Sequence, residues 1–404
     1  MTTSSRASPA SLPSSPADVS ERADPFGFET LDLDWLRAKQ GAKWHRHPGQ
    51  LAAWVADMDF RPAPVVTDAL HRFVDAGDLA YPDWKTPMAG TPVRDLFVDR
   101  CNRRYGWQID AHDTREFVDV VQAVQVFLHV CTQPGDGVVV LMPSYPPLVH
   151  SVTGTGRRLI GHEIDGDSWD LDALDRRLAV EPARVLLLCH PHNPTGHAFR
   201  PSELQRLAAI AQAHDLLIIS DEIHADLTYA PAVHRPIAMD APDRTVTLHS
   251  ASKAFNLAGM RYAVAHIGSA SARERLHGLP DHLLGAVSVP AAVASHAAWS
   301  TGDEWLTEAM RHLDRNRWLL GDLLADYLPA VRYTPPEATY LAWLDCRALE
   351  MAAEPFEVFR AGGVQLSPGP DFGPQGTGFV RLNFATSSTI LRDIVQHMAS
   401  ATQR

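Results

Sequence analysis

The sequence predicts an α/β fold, with a large unit built on a mainly parallel sheet flanked by helices and a smaller α+β unit after it. Three observations carry this. Short continuous apolar runs at 137–143 (GVVVLMP), 183–190 (ARVLLLCH), 216–221 (LLIISD), 244–250 (RTVTLHS) and 262–268 (YAVAHIG) lack the alternation of half-exposed strands and suit strands covered on both faces. Segments with helical spacing precede and separate them. After about residue 300 the pattern changes to one long helical stretch, 302–328, and then two short strand candidates, TYLAWLD and FVRLNF.

In order along the chain, residues 1–24 are rich in Ser, Pro and Ala and are expected to be a disordered tail. A length of 404 residues exceeds one ordinary core, so we expect an N-terminal segment (25–60) joining the small domain, a large domain (61–290) and a small C-terminal α+β domain (291–404). PVVTDALHRFVDAG sets Val66, Leu70, Phe73 and Val74 at helical spacing and stops at Gly77; TPVRDLFVDRCNRRYG stops likewise at Gly106. VVQAVQVFLHVCTQPGD (120–136) contains a further helix. In PSELQRLAAIAQAHD, Ser202 and Gln205 have capping-box spacing, and Leu204, Leu207, Ala208 and Ala211 form one face.

Composition narrows the function. Apolar residues make up 45% and charged residues 21%, the balance of a globular protein. A formal net charge of -12, with no Lys/Arg block, argues against nucleic acid as a partner. The four cysteines show no CxxC spacing, so neither a metal site nor a disulfide framework is expected, and a cytoplasmic location fits. Residues 1–24 lack the apolar core of a secretory signal, and no run approaches the length of a membrane span, so no membrane association is expected.

Polar residues gather just after the strand candidates, where open α/β sheets bind ligands. They are PSYPP (143–147), HPHNPTG (190–196), SDEIH (220–224) and SASK (250–253). Taken singly, Asn193-Pro194-Thr195-Gly196 is an ordinary turn, Asp221 a helix cap, Tyr145 a packing residue and Lys253 a surface charge. Together they suit one ligand, with an aldehyde for Lys253, a basic ring nitrogen for Asp221, a ring face for Tyr145 and a phosphate for serine and arginine. Pyridoxal 5′-phosphate has all four groups.

At this point the chain resembles the fold-type I, class I/II aminotransferase-like family of pyridoxal-phosphate enzymes. WVADMDF (54–60), DEIHADL (221–227), SASKAFNLAGMR (250–261), ATYLAWLD (338–345) and FVRLNFA (379–385) resemble its MalY/PatB-type cystathionine β-lyase subgroup. The resemblance implies an aspartate aminotransferase-like fold with a seven-stranded-type sheet. It implies that Lys253 carries the cofactor and later acts as acid/base, that Asp221 faces the ring nitrogen, and that Asn193 bonds the ring hydroxyl. His224 stands where many transaminases carry tyrosine; its other reading is a satisfied histidine at a strand edge. Ser250, Ser252 and Arg261 are implied phosphate ligands, helped by the start of the 120–136 helix through Val121 and Gln122. Asp119 stands where a glycine is common, and either turns away from the phosphate or repels it.

Tyr81 resembles the tyrosine that reaches a neighbouring subunit's phosphate, which implies a homodimer with active sites at the subunit interface; Tyr-Pro-Asp is also a good turn. Arg381 is implied to clamp the substrate carboxylate, and an arginine on an apolar strand is costly without a partner. Asp57 and Asp59 are expected to support the cleft entrance, with Trp54 and Trp84 lining it, and Asp57 and Tyr81 also to approach substrate. The implied reaction is α,β-elimination from a small amino-acid substrate, cystathionine or another S-substituted cysteine. Transamination, action on another cysteine-conjugate thioether in specialised metabolism, and a non-catalytic binding module are the competing readings.

Overall fold

The computed structural model describes residues 24–82, 92–166, 168–351 and 353–403. Nearly all of the expected N-terminal tail, and Trp84, lie outside the described residues. The strands are β1 (Leu51–Ala52), β2 (Thr114–Phe117), β3 (Gly137–Met142), β4 (Arg158–Glu163), β5 (Val185–Cys189), β6 (Leu217–Asp221), β7 (Thr245–His249), β8 (Ala263–Ile267), β9 (Leu341–Asp345), β10 (Val364–Gln365), β11 (Ser367–Pro368) and β12 (Phe379–Asn383).

Seven strands form the central sheet in the order β2-β8-β7-β6-β5-β3-β4, as the resemblance implied. β8 alone runs antiparallel to its neighbours β7 and β2. Burial on both faces explains the continuous apolar runs. Val138 and Val140 of β3 pack with Val124, Phe127 and Leu128 of the Val120–Cys131 helix on one face. Val139 and Leu141 pack with Leu204, Leu207 and Ile210 on the other.

Two local expectations are corrected. The Pro201–Ala213 helix starts two residues earlier than Ser202 and Gln205 suggest, because Glu203 Oε2 accepts the Arg200 N–H at 2.6 Å and closes the first turn. In the Pro64–Asp75 helix Val66 is buried, but Val74 stands 65% exposed, off the face that packs on the Val289–Thr301 helix.

Beyond the central sheet, β11-β12-β9 form an antiparallel sheet, and β1 pairs in parallel with β10. One core cluster joins Phe28, Leu36 and Trp44 near the N-terminus to Leu341, Leu382 and Leu391. Residues 54–60 therefore cross between the C-terminal sheet and the central sheet. Among the described residues, no helix is long and apolar enough to cross a membrane.

Candidate active site

The strand order brings the carboxyl ends of β2, β3, β5, β6 and β7 to one edge, and a single cavity opens there. Asp119, Val120 and Val121 follow β2, Tyr145 follows β3, Asn193 follows β5, Asp221 ends β6 with His224 just beyond, and Ser250, Ser252 and Lys253 follow β7; Arg261 closes the ring. Residues separated by more than a hundred positions thus line one space.

Lys253 lies on the short Ala251–Ala254 helix, and its Nζ donates to the Ala56 carbonyl at 2.8 Å. Burial holds its pKa below the ordinary lysine value, reinforced by Arg381 and Arg261 and opposed by Asp57 and Asp221. Asp221 is buried, and burial pushes its pKa up to about 6 against the pull of the Ile223 N–H and Lys253. No ion pair neutralises Asp221 among the described residues. Burial, with Lys253 and Arg381 nearby, lowers His224 to about 3, so its imidazole is neutral, and its Nδ1 has no hydrogen-bond partner among the described residues.

Arg381, from β12, is 5% exposed and reaches the same region. Its guanidinium donates to Asn193 Oδ1 at 2.9 Å, to the Trp54 carbonyl at 2.9 Å and to Ser367 Oγ at 3.2 Å, while its Nε is buried without a partner among the described residues. Burial lowers its pKa to about 10, still cationic at neutral pH. Burial raises the pKa of Tyr145, keeping its hydroxyl protonated. The turn that presents Asn193 needs Gly196, whose φ is +72° and whose Cβ would lie 2.3 Å from Pro336 Cβ.

Two asparagines that the sequence reading passed over fix the 54–60 segment. Asn383 Nδ2 donates to the Val55 and Asp57 carbonyls at 2.6 and 2.7 Å, and Asn256 brackets Met58 and Phe60 from the other side. Asp59 does not support a cleft entrance. It is buried against Lys43 at 2.9 Å and accepts from Trp44 Nε1 at 2.6 Å, so it anchors the segment from beneath. Trp54 is half-buried with its indole N–H on the Lys43 carbonyl, and Asp57 is half-buried. The Tyr340 hydroxyl, also passed over, donates to Ala56 O at 2.8 Å beside Lys253.

Ser250, Ser252, Arg261 and Val121 border the cavity, whereas Gln122 does not. Asp119 caps the Val120–Cys131 helix, its Oδ1 taking the Gln122 N–H at 2.7 Å, and the Gln122 side chain bonds Leu284 O and the Val118 N–H. Asp119 Oδ2 pairs with Arg261, so the carboxylate neither turns away nor stands alone. Tyr81 is fully exposed and away from this chain's own cavity.

Behind Asp221 lies a buried cluster absent from the sequence reading. Glu222 Oε2 meets His234 Nε2 at 2.8 Å and His249 Nε2 at 3.4 Å, and Ser220 Oγ donates to Oε1 at 2.9 Å. These three ligand-type side chains lie close enough to hold a metal ion, yet hydrogen bonds within the group already satisfy the carboxylate.

The sequence profile of aminotransferase class I and II matches residues 56–397, a span that includes every cavity side chain. The chain belongs to the aminotransferase class I and II family. Within reach of it, cystathionine beta-lyase PatB of Bacillus subtilis (strain 168) is 33% identical over 363 residues, covering 87% of this chain and 92% of that protein. The cystathionine beta-lyase of Corynebacterium glutamicum is 32% identical over 375 residues, covering 91% and 98%. The crystal structure of the PLP-bound C-S lyase from Staphylococcus hominis aligns with a TM-score of 0.86 at 26% identity, covering 93% of this chain and 98% of that one. Family membership thus extends over the central sheet and the C-terminal sheet alike.

Proposed function

We propose that the chain is a pyridoxal 5′-phosphate-dependent carbon-sulfur β-lyase. It takes cystathionine or another S-substituted L-cysteine and, with one water, releases a thiol, pyruvate and ammonia. The observation that carries this reading is that an amine (Lys253) and a carboxylate (Asp221) line one cavity while a buried guanidinium (Arg381) bonds the cavity residue Asn193, in a chain whose full-length relatives are named cystathionine β-lyases.

The residues fit that cofactor. Among the described residues, Asp221 is a buried carboxylate without an ion-pair partner, as suits a partner for a protonated ring nitrogen, and His224 Nδ1 is an unpartnered polar atom at the same wall. Asn193, Tyr145, Ser250, Ser252, Arg261 and Val121 would complete the cradle. When bound, the group supplies an aldehyde that captures amines and a ring that withdraws electrons from the substrate's Cα.

The chain's own side chains do the rest. Lys253, held by burial toward the neutral amine, anchors the group and, when free, takes the Cα proton. Arg381 pairs with the substrate α-carboxylate, for which its unpartnered Nε leaves capacity. The leaving thiolate needs little acid help, because a thiol pKa is about 8.5. A homodimer, in which Tyr81 of a second copy completes the phosphate site, and a cytoplasmic location belong to the same reading. The division at 61–290 and 291–404 is its domain plan.

Transamination is the competing reading, since the family takes its name from it. Purified protein incubated with cystathionine should yield equal amounts of thiol, pyruvate and ammonia. Conversion of an amino acid to its keto acid, with no thiol released, would overturn the lyase reading.

A further inference from the structure

Asp119 sits among the groups assigned above to the cofactor phosphate. Arg261, the Ser250 and Ser252 hydroxyls, and Val120 and Val121 at the start of the helix border one end of the cavity. The first-turn N–H groups of Val120 and Val121 are donors the helix cannot satisfy internally. This donor set suits a dianion, yet it already contains an anion. Asp119 Oδ2 pairs with Arg261 and Oδ1 caps the helix through the Gln122 N–H.

The backbone maintains that arrangement. Asp119 is extended at the N-cap, and Arg261 adopts φ +62°, a left-handed conformation uncommon for a long side chain. Ser250 offers little in compensation, since its hydroxyl donates to Tyr262 O at 2.5 Å and accepts the Ser252 N–H. Among the described residues, Arg261 is therefore the one full positive charge bordering this end of the cavity, and Asp119 holds it.

We propose that Asp119 is an internal counter-anion that competes with the cofactor's phosphate for Arg261, so that this chain binds its cofactor more weakly and releases it faster than the same site would without the carboxylate. An entering phosphate either displaces Asp119 from its charge-assisted bond or lies beside it as a second anion, and both alternatives cost affinity. The inference rests on the cofactor assignment made above.

Asp119→Asn tests it, because asparagine caps helices as well as aspartate while lacking the charge; Asp119→Ser is the second variant should the first fold poorly. Full-length wild type and variant, stripped of cofactor, are titrated with pyridoxal 5′-phosphate and, separately, with pyridoxal. Binding is followed by the yellow absorbance of the lysine-bound form, and release by dilution. The variant should bind pyridoxal phosphate on the order of tenfold tighter and release it more slowly, with pyridoxal unchanged. Inorganic phosphate should raise the melting temperature of the cofactor-free variant more than that of wild type. Equal or weaker phosphate-dependent affinity in both variants overturns the proposal and makes Asp119 a residue that orients Arg261. If neither wild type nor variant takes up the cofactor, the cofactor assignment itself fails, and this inference with it.

Discussion

Lys253 and Tyr340 share one acceptor: the amine and the phenol each donate to the Ala56 carbonyl at 2.8 Å. In the cofactor-free chain either donor alone satisfies that buried oxygen. Once Lys253 is committed to the cofactor, only Tyr340 remains. Tyr340→Phe should therefore destabilise the cofactor-free protein modestly, by about 1 kcal/mol, but should orphan Ala56 O in the loaded one, where a buried unsatisfied carbonyl costs about 1–3 kcal/mol. Cofactor affinity should fall about tenfold. An affinity equal to wild type, measured by titration of the stripped protein, would show that the shared acceptor has no role in loading.

Asp221 carries a stability cost of the opposite sign to an ion-paired acid such as Glu222. Burial raises its folded-state pKa to about 6, above the unfolded value of about 3.9, so the folded chain favours the protonated form. Its contribution to stability is complete below the unfolded pKa and is lost as pH rises through 6, a difference of about 3 kcal/mol. Asp221→Asn cannot ionise. In urea unfolding, the cofactor-free variant should exceed wild type by about 2–3 kcal/mol at pH 8, with the gap closing near pH 4. A variant no more stable than wild type at pH 8 would refute this account. The same variant should lose lyase activity.

The central strands were legible because β3, β5, β6, β7 and β8 are covered on both faces and so are written as unbroken apolar runs. The edge strands β2 and β4 escaped, since TREF and RLIGHE are only partly buried and carry charges. Lys253, Asp221, Asn193 and Tyr145 stood out because each ends or follows a strand at the ligand-binding edge. Tyr340, Asn256 and Asn383 did not, because they act on the 54–60 segment from 284, 198 and more than 300 positions away, and no local pattern records such a contact. Gln122 was misplaced for a local reason: the Asp119 carboxylate, visible in the sequence, had already taken its N–H.

Arg381 presents a fork already oriented by Asn193 Oδ1 and the Trp54 carbonyl. Lysine retains the charge but cannot hold these two acceptors and pair with a carboxylate at once. Arg381→Lys should lower kcat/KM for cystathionine about a hundredfold. For a thioether amine lacking the α-carboxylate, wild type and variant should differ little. A similar loss on both substrates would mean that Arg381 only supports the fold around Trp54.

Glu222 should set the acid limit of the fold. Burial would raise its pKa, but His234 and His249 together pull it well below the ordinary carboxylate range. With the folded pKa depressed, its contribution is full above the unfolded pKa of about 4.3 and is lost progressively as pH falls from there through the folded pKa. At neutral pH Glu222→Gln should be destabilised by about 3 kcal/mol, because it breaks a buried pair and leaves His234 facing an amide. As pH falls from about 4.3 toward 3, wild type loses part of this advantage and the gap between the two unfolding free energies should narrow. Parallel stability profiles, measured by urea unfolding from pH 7 to pH 3, would place the acid sensitivity elsewhere and leave Glu222 as a hydrogen-bonding group whose charge is immaterial.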